Sequence, residues 1–135
     1  MKTIIFDLDG TILNTLVDLK NAVNHGLKTY ILPEKDLEFV RTAIGNGTQV
    51  LIKRCTPCDI SEEIRSQVFD SFKKYYFEHF TDNTRPYKGM FEMLLKLKEL
   101  DNLKLVVLSN KDDDLTKQLI NKEFPLEQRL NLFFS

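Results

Sequence analysis

The sequence predicts an α/β fold, a parallel-sheet core interrupted by an all-helical insertion. Three observations carry that prediction. Residues 2–6 (KTIIF) and 103–108 (LKLVVL) are short, apolar, β-branched runs that each stop at a polar cluster, the pattern of buried strands entering turns. Between them lies helix-period sequence of about 65 residues, well beyond the dozen or more that a parallel crossover needs, so it is an inserted subdomain. With the insertion set aside, the order is strand, helix, strand, helix, strand, which folds as helices packed on a parallel sheet.

The elements come in order. Strand 2–6 runs into DLDGT. Leu16, Leu19, Val23, Leu27 and Tyr30, three and four apart, form one apolar helix face that Pro33 should stop. Leu37, Val40 and Ile44 mark a second helix ended by Gly45-Asn46-Gly47, and Val50, Leu51 and Arg54 a short third. Asp59 or Ser61 should cap a longer fourth helix, with Glu62 and Glu63 in its first turn and a face of Ile64, Val68, Phe72, Tyr75 or Tyr76, and Phe80. Residues 81–86 (TDNTRP) read as a polar linker. A helix from about Gly89 carries Phe91, Leu94, Leu95 and Leu97. The 103–108 strand then ends in Ser109-Asn110-Lys111. Asp112 to Asp114 start another helix with Leu115, Leu119 and Ile120, and residues 130–135 (LNLFFS) begin a third strand. The division expected is 1–14 plus 83–135 for the core and 15–82 for the insertion.

Composition narrows the function classes. With 135 residues, 42% hydrophobic and 29% charged, the chain has a globular balance and not a disordered one. Nineteen basic and 20 acidic residues leave a net charge of −1, which gives no electrostatic footprint for nucleic acid or an anionic membrane. No apolar run approaches the ~18 residues of a membrane span. The stretch after Lys2 is cut short at Asp7 and makes no signal peptide, so a cytoplasmic location is expected. The pair Cys55-Thr56-Pro57-Cys58 lacks the second pair a zinc site needs and the strand-to-helix setting of a redox dithiol; two reduced thiols is the reading.

Chemistry concentrates where the two strands end. Ligand sites in parallel α/β sheets lie at the carboxyl ends of strands, so Asp7, Asp9, Ser109 and Asn110 should converge. Asp7 and Asp9, two apart, can face one pocket, and close carboxylates need a cation or proton between them. A merely acidic turn closed by Gly10 is the plain alternative.

These residues carry a resemblance. FDLDGT resembles the first motif of the haloacid dehalogenase-like hydrolases, an apolar strand followed by DxDGT, and LVVLSN resembles the second, an apolar strand closing on Ser or Thr. The fixed letters of DxDGT arise by chance in roughly one chain of this length in a thousand. The resemblance implies a partial Rossmann-like parallel core with a helical cap between the motifs, and a Mg²⁺-dependent phosphatase working through an aspartyl-phosphate. It makes Asp7 the nucleophile and Asp9 the general acid and then base. The Asp7 carboxylate and the Asp9 backbone carbonyl would hold Mg²⁺. Gly10 would let the backbone turn near the substrate, while Ser109 and the Asn110 amide would hold phosphoryl oxygens. The family's dehalogenases lack the second Asp, so carbon–halogen hydrolysis is not expected.

The helical insertion, Arg41-Thr-Ala-Ile-Gly45-Asn-Gly47, Arg85-Pro86-Tyr87-Lys88-Gly89 and Ser109-Asn110-Lys111 look like phosphoglycolate phosphatases. That likeness implies a small phosphorylated metabolite as substrate, selected by the Gly45–Gly47 loop with Arg41 nearby, and an anion-binding role for Lys111. A solvated helix residue is the plain reading of Arg41. Asp112 to Asp114 read as capping groups. A pyrophosphatase or sugar phosphomutase on the same scaffold, and a non-catalytic fragment, are the alternatives. A signalling receiver places its phospho-acceptor Asp after a later strand and lacks a large insertion.

Two further family motifs, a Lys and an acidic pair completing the metal site, find no match after Ser109, and Lys111 and residues 112–114 do not replace them. The chain therefore reads as a truncated piece, inactive by itself. Residues 2–8 would be left as an unpaired apolar edge, open to self-association. The core that remains is about 67 residues in two pieces, marginal for independent stability.

Overall fold

The computed structural model describes residues 1–109, 111–124 and 132–134. The chain divides into two compact units, Met1–Asn14 with Arg85–Ser135, and Thr15–Thr84.

The first unit holds a parallel sheet in the order β1 (Lys2–Phe6), β4 (Leu103–Val107), β5 (Leu132–Phe134). Register runs from Lys2 opposite Leu103 to Phe6 opposite Val107, and from Leu105 opposite Leu132 to Val107 opposite Phe134. The tail thus does form a third strand, although residues 130, 131 and 135 of that expectation lie outside the described residues. β1, read as a buried-type strand whose outer edge is unpaired in this chain, has no fully buried residue, and Ile5 is 61% exposed. Its position explains this, since in the described sheet it has a strand neighbour on one side only. Leu108, read as the end of the second strand, lies past it and is 48% exposed. The core of this unit is built around Leu8, Ile12, Leu94, Val107, Leu119 and Phe124, with the Phe91 ring stacked 5.7 Å from Phe124.

The helices of this unit begin as their caps dictate. Gly89, at φ 82, takes the left-handed conformation that turns the chain into α5 (Met90–Lys98). Asp112 caps α6 (Asp113–Glu123), its Oδ1 accepting from the amides of Asp114 at 3.0 Å and Leu115 at 3.3 Å. The polar linker expected at 81–86 is partly strand. β3 (Arg85–Pro86) pairs antiparallel with β2 (Leu13–Asn14), Leu13 opposite Pro86 and Asn14 opposite Arg85. Proline fits there because a two-stranded ribbon is all edge.

The second unit comprises α1 (Leu16–Thr29), α2 (Leu37–Ala43), α3 (Thr48–Cys55) and α4 (Glu62–His79). α1 buries Leu16, Leu19, Val23 and Leu27, and α4 buries Val68, Phe72 and Tyr76, followed by Phe80. The undecided position is thus Tyr76, whereas Ile64 is 38% exposed and off the core. Gly26 lets the two helices close up, for a β-carbon there would stand 2.9 Å from the Val68 carbonyl oxygen. Ser61, not Asp59, caps α4, accepting from the Ile64 amide at 3.2 Å. α1 does not wait for Pro33 to end. The Ile31 amide bonds to the Lys28 carbonyl and the Leu32 amide to that of Leu27, a Schellman closure with Ile31 left-handed at φ 56.

Asp18, in the first turn of α1, is 3% exposed yet carries a carboxylate. It is satisfied by the exit of the unit: Asn83 donates its backbone N–H (2.8 and 3.1 Å) and its side-chain amide (2.9 Å), and Thr84 its hydroxyl (2.8 Å). The two ends of the insertion are thereby tied together. Cys55 and Cys58 are both free thiols; Cys55 is buried, and burial pushes its thiol up to about 11, whereas Cys58 is exposed. Among the described residues no helix is long and apolar enough to cross a membrane.

Candidate active site

The site begins with register. Phe6 faces Val107 across the parallel pair, and the Leu108 amide donates to the Phe6 carbonyl at 2.9 Å, so β1 and β4 stop at the same level. The chain leaving each strand, at Asp7 on one side and Ser109 on the other, therefore emerges at one end of the sheet.

A tight turn organises the aspartates. Leu8 is fully buried, and its carbonyl accepts from the amides of Thr11, Ile12 and Leu13 at 3.1 to 3.2 Å. The Gly10 amide donates to the Leu13 carbonyl at 2.9 Å, with Gly10 at φ 81. Leu8 is thus held in the core between an exposed Asp7 and a half-buried Asp9. Asp7 is exposed, and one carboxylate oxygen accepts from the Leu8 amide at 2.8 Å. The Asp9 side chain is only 16% exposed, and its Oδ1 lies 3.2 Å from the Lys111 ammonium, itself 3% exposed.

Ser109 shapes the second loop. Its hydroxyl accepts from the Lys111 amide at 3.1 Å, folding the chain after β4 back on itself. Asp9, Ser109 and Lys111 are thus connected at the end of the sheet where Asp7 emerges. Asn110 lies outside the described residues. Arg41 and Gly45 belong to the helical unit: Arg41 is exposed and pairs with Glu38 at 3.3 Å, and Gly45 has φ 116 with open space where a β-carbon would stand.

The pairing of Asp9 with Lys111 was not foreseen from the sequence. Its only signal is a lysine two residues after the strand-end serine. Asp18 was also missed, although it sits four before Ala22 on the helix face that α1 buries, an odd place for a carboxylate.

The donors suit a hard cation in kind. The Asp7 carboxylate and the Asp9 main-chain carbonyl are oxygens of the type Mg²⁺ takes, usually as one or two carboxylates with waters and substrate phosphate. Among the described residues no cluster of three His, Cys, Asp or Glu side chains stands ready to hold a metal, and the Asp9 carboxylate is engaged by Lys111.

A parallel sheet with two aspartates following the carboxyl end of its first strand, interrupted in sequence by a helical unit, defines an α/β fold with a helical insertion. Residues 4–134 match the family described as Haloacid dehalogenase-like hydrolase, and the chain belongs to that family. It is 33% identical over 124 residues to a phosphoglycolate phosphatase of Thiobacillus denitrificans, covering 89% of this chain and 54% of that protein. With a phosphoglycolate phosphatase of Haemophilus influenzae it shares 40% over 117 residues, 82% of this chain and 52% of the relative. The crystal structure of a predicted phosphoglycolate phosphatase from Haemophilus somnus superposes with a TM-score of 0.82 at 26% identity, over 99% of this chain and 62% of that one. A haloacid dehalogenase-like family protein of Streptococcus pneumoniae shares the fold, with a TM-score of 0.82 at 20% identity over 100% of this chain and 61% of its own. The chain spans about half the length of the curated relatives it matches.

Proposed function

We propose that the whole protein is a Mg²⁺-dependent phosphatase of small phosphorylated metabolites, phosphoglycolate-like in substrate size, working through an aspartyl-phosphate on Asp7. The carrying observation is the shared end of β1 and β4, where Asp7 is followed within two residues by an Asp9 held 3.2 Å from Lys111. Asp7 Oδ attacks phosphorus as the bond to the leaving oxygen breaks, and Asp9 delivers a proton to that oxygen. Asp9, now ionised, takes a proton from water as the water oxygen attacks phosphorus, releasing phosphate and restoring the Asp7 carboxylate. Mg²⁺ held by the Asp7 carboxylate and the Asp9 carbonyl would supply charge neutralisation between carboxylate and phosphate.

Lys111 has two tasks in this scheme. It neutralises the Asp9 carboxylate while the site is empty, and an arriving phosphate draws the same ammonium onto its oxygens, so that Asp9, no longer ion-paired, takes up a proton from solvent and then delivers it to the leaving oxygen. The Ser109 hydroxyl and the Asn110 amide serve the remaining phosphoryl oxygens. The Gly45–Gly47 loop, with Arg41, selects the organic part of the substrate. Its φ values of 116 at Gly45 and 90 at Gly47, with no neighbour within 4 Å of either β-carbon position, leave room beside the backbone.

Trapping tests the reading. Asp7→Asn in the whole protein should abolish hydrolysis of p-nitrophenyl phosphate, and Asp9→Asn should accumulate an acid-stable, hydroxylamine-labile phosphoprotein from this good-leaving-group ester. Turnover by Asp7→Asn above a few per cent of the parent rate removes Asp7 as nucleophile. By itself the 135-residue chain, with so few ready metal donors among its described residues, should bind Mg²⁺ weakly and turn over little.

A further inference from the structure

We propose that the cleft between α3 and α4 binds a small organic monoanion, a carboxylate on a flat apolar body. The cleft lies wholly within the helical unit, and the proposal stands independently of the chemistry assigned to Asp7. Its volume is about 340 Å³, within the range of small-molecule sites. α3 contributes Gln49, Val50 and Lys53, and α4 contributes Arg65, Ser66 and Phe69. The gap is written in the sequence: Ser66, one turn before Phe69, is too small to reach across to α3.

Charge decides the ligand class. Glu62, also on the wall, is committed to the Arg65 guanidinium. Arg65 in turn donates to the Thr56 hydroxyl and the Pro57 carbonyl, both at 3.0 Å, so this arginine is spent on holding the α3–α4 connection. Lys53, exposed and with no ion pair among the described residues, is left as the net charge of the wall. Lys73, which does not line the cleft, holds its ammonium 5.4 Å from the Phe69 ring, so Lys53 is the cleft's only unpaired cation among its described lining residues. Val50 and Phe69, both half-buried, form an apolar floor, and Gln49 and Ser66 offer polar groups beside it. One flexible ammonium without an arginine fork suits a carboxylate better than a phosphate dianion.

The probe is 3-phenylpropionate, which has one carboxylate, an aromatic body and no phosphorus. Titrated into the ¹⁵N-labelled chain, it should produce saturable amide shifts at Gln49, Lys53, Ser66 and Phe69. Lys53→Glu should weaken binding about tenfold or more, an effect of a kind typical for reversing one contacting charge. Ser66→Trp should abolish binding by filling the cleft. Lys53 is exposed, so its replacement keeps the test decisive if the tryptophan disturbs folding. Asp7→Asn should leave the affinity unchanged. Shifts that do not saturate, that map to other residues, or that persist in Lys53→Glu overturn the proposal.

Discussion

Asp18 offers the sharpest test of what holds the helical unit together. Its carboxylate is 3% exposed and accepts from three donors, the Asn83 amide, the Asn83 side chain and the hydroxyl of fully buried Thr84. Asp18→Ala removes every acceptor at once. The Asn83 side chain, on an exposed residue, can turn to water and costs little. The Asn83 backbone amide and the buried Thr84 hydroxyl each lose their bond to the carboxylate, at about 1–3 kcal/mol each. Partial entry of water through the space left by the carboxylate lowers the sum, so a loss of about 3 kcal/mol is expected. Asp18→Asn keeps the shape and one acceptor oxygen but turns an NH₂ toward a donor, and should lose about 2 kcal/mol. Urea unfolding followed by circular dichroism at 222 nm reads both. Thr84→Val separates the latch from general disruption: once the hydroxyl is gone, Asp18→Ala should cost distinctly less, because one of the bonds it breaks no longer exists. A loss under about 1 kcal/mol for Asp18→Ala, or strict additivity with Thr84→Val, refutes the account.

Further outcomes rest on single residues. Gly26→Ala places a β-carbon 2.9 Å from the Val68 carbonyl oxygen, and the overpacking, about 1–3 kcal/mol, should outweigh the roughly 1 kcal/mol helix-propensity gain; a raised melting temperature contradicts this. Ile31→Gly should stabilise by about 1 kcal/mol, because a β-branched residue at φ 56 and 94% exposed gains no packing for its strained backbone; unchanged or lower stability in urea unfolding speaks against it. The side of β1 without a strand neighbour among the described residues should drive self-association of the chain, visible as mass rising with concentration in light scattering and suppressed by Ile5→Lys. A monomer at every concentration rules that edge out as an association surface.

The fold was legible where the signal is local. Apolar spacing marked the faces of α1 and α4, and Ser61 and Asp112 advertised their caps. Neighbouring residues decide such features, so a short window holds the needed information. The misreadings share the opposite trait. KTIIF has the composition of a buried strand, but burial depends on how many strands flank it, and β1 has one described neighbour. Residues 81–86 are polar, yet Arg85 and Pro86 pair with residues more than seventy positions away, and Asn83 and Thr84 satisfy a carboxylate almost as remote in sequence. Proline at 33 looked like the terminator of α1, although the backbone closes the helix earlier through Ile31, at a residue type whose propensity argues against that conformation.

The site divides along the same line. Asp7 and Asp9 were readable because their spacing is local and Leu8 between them is an obvious core residue. The pairing of Lys111 with Asp9 was not, because it depends on two non-local facts acting together. Register must bring the end of β4 level with the end of β1, and Ser109 must fold the loop back by accepting the Lys111 amide. Only then does the Lys111 side chain become 3% exposed and reach Asp9. An ammonium so enclosed is retained because the carboxylate beside it offsets its desolvation, and removing either partner alone leaves the other charge uncompensated. Asp9 and Lys111 therefore form one electrostatic unit, and the net charge presented at this end of the sheet is set by the pair.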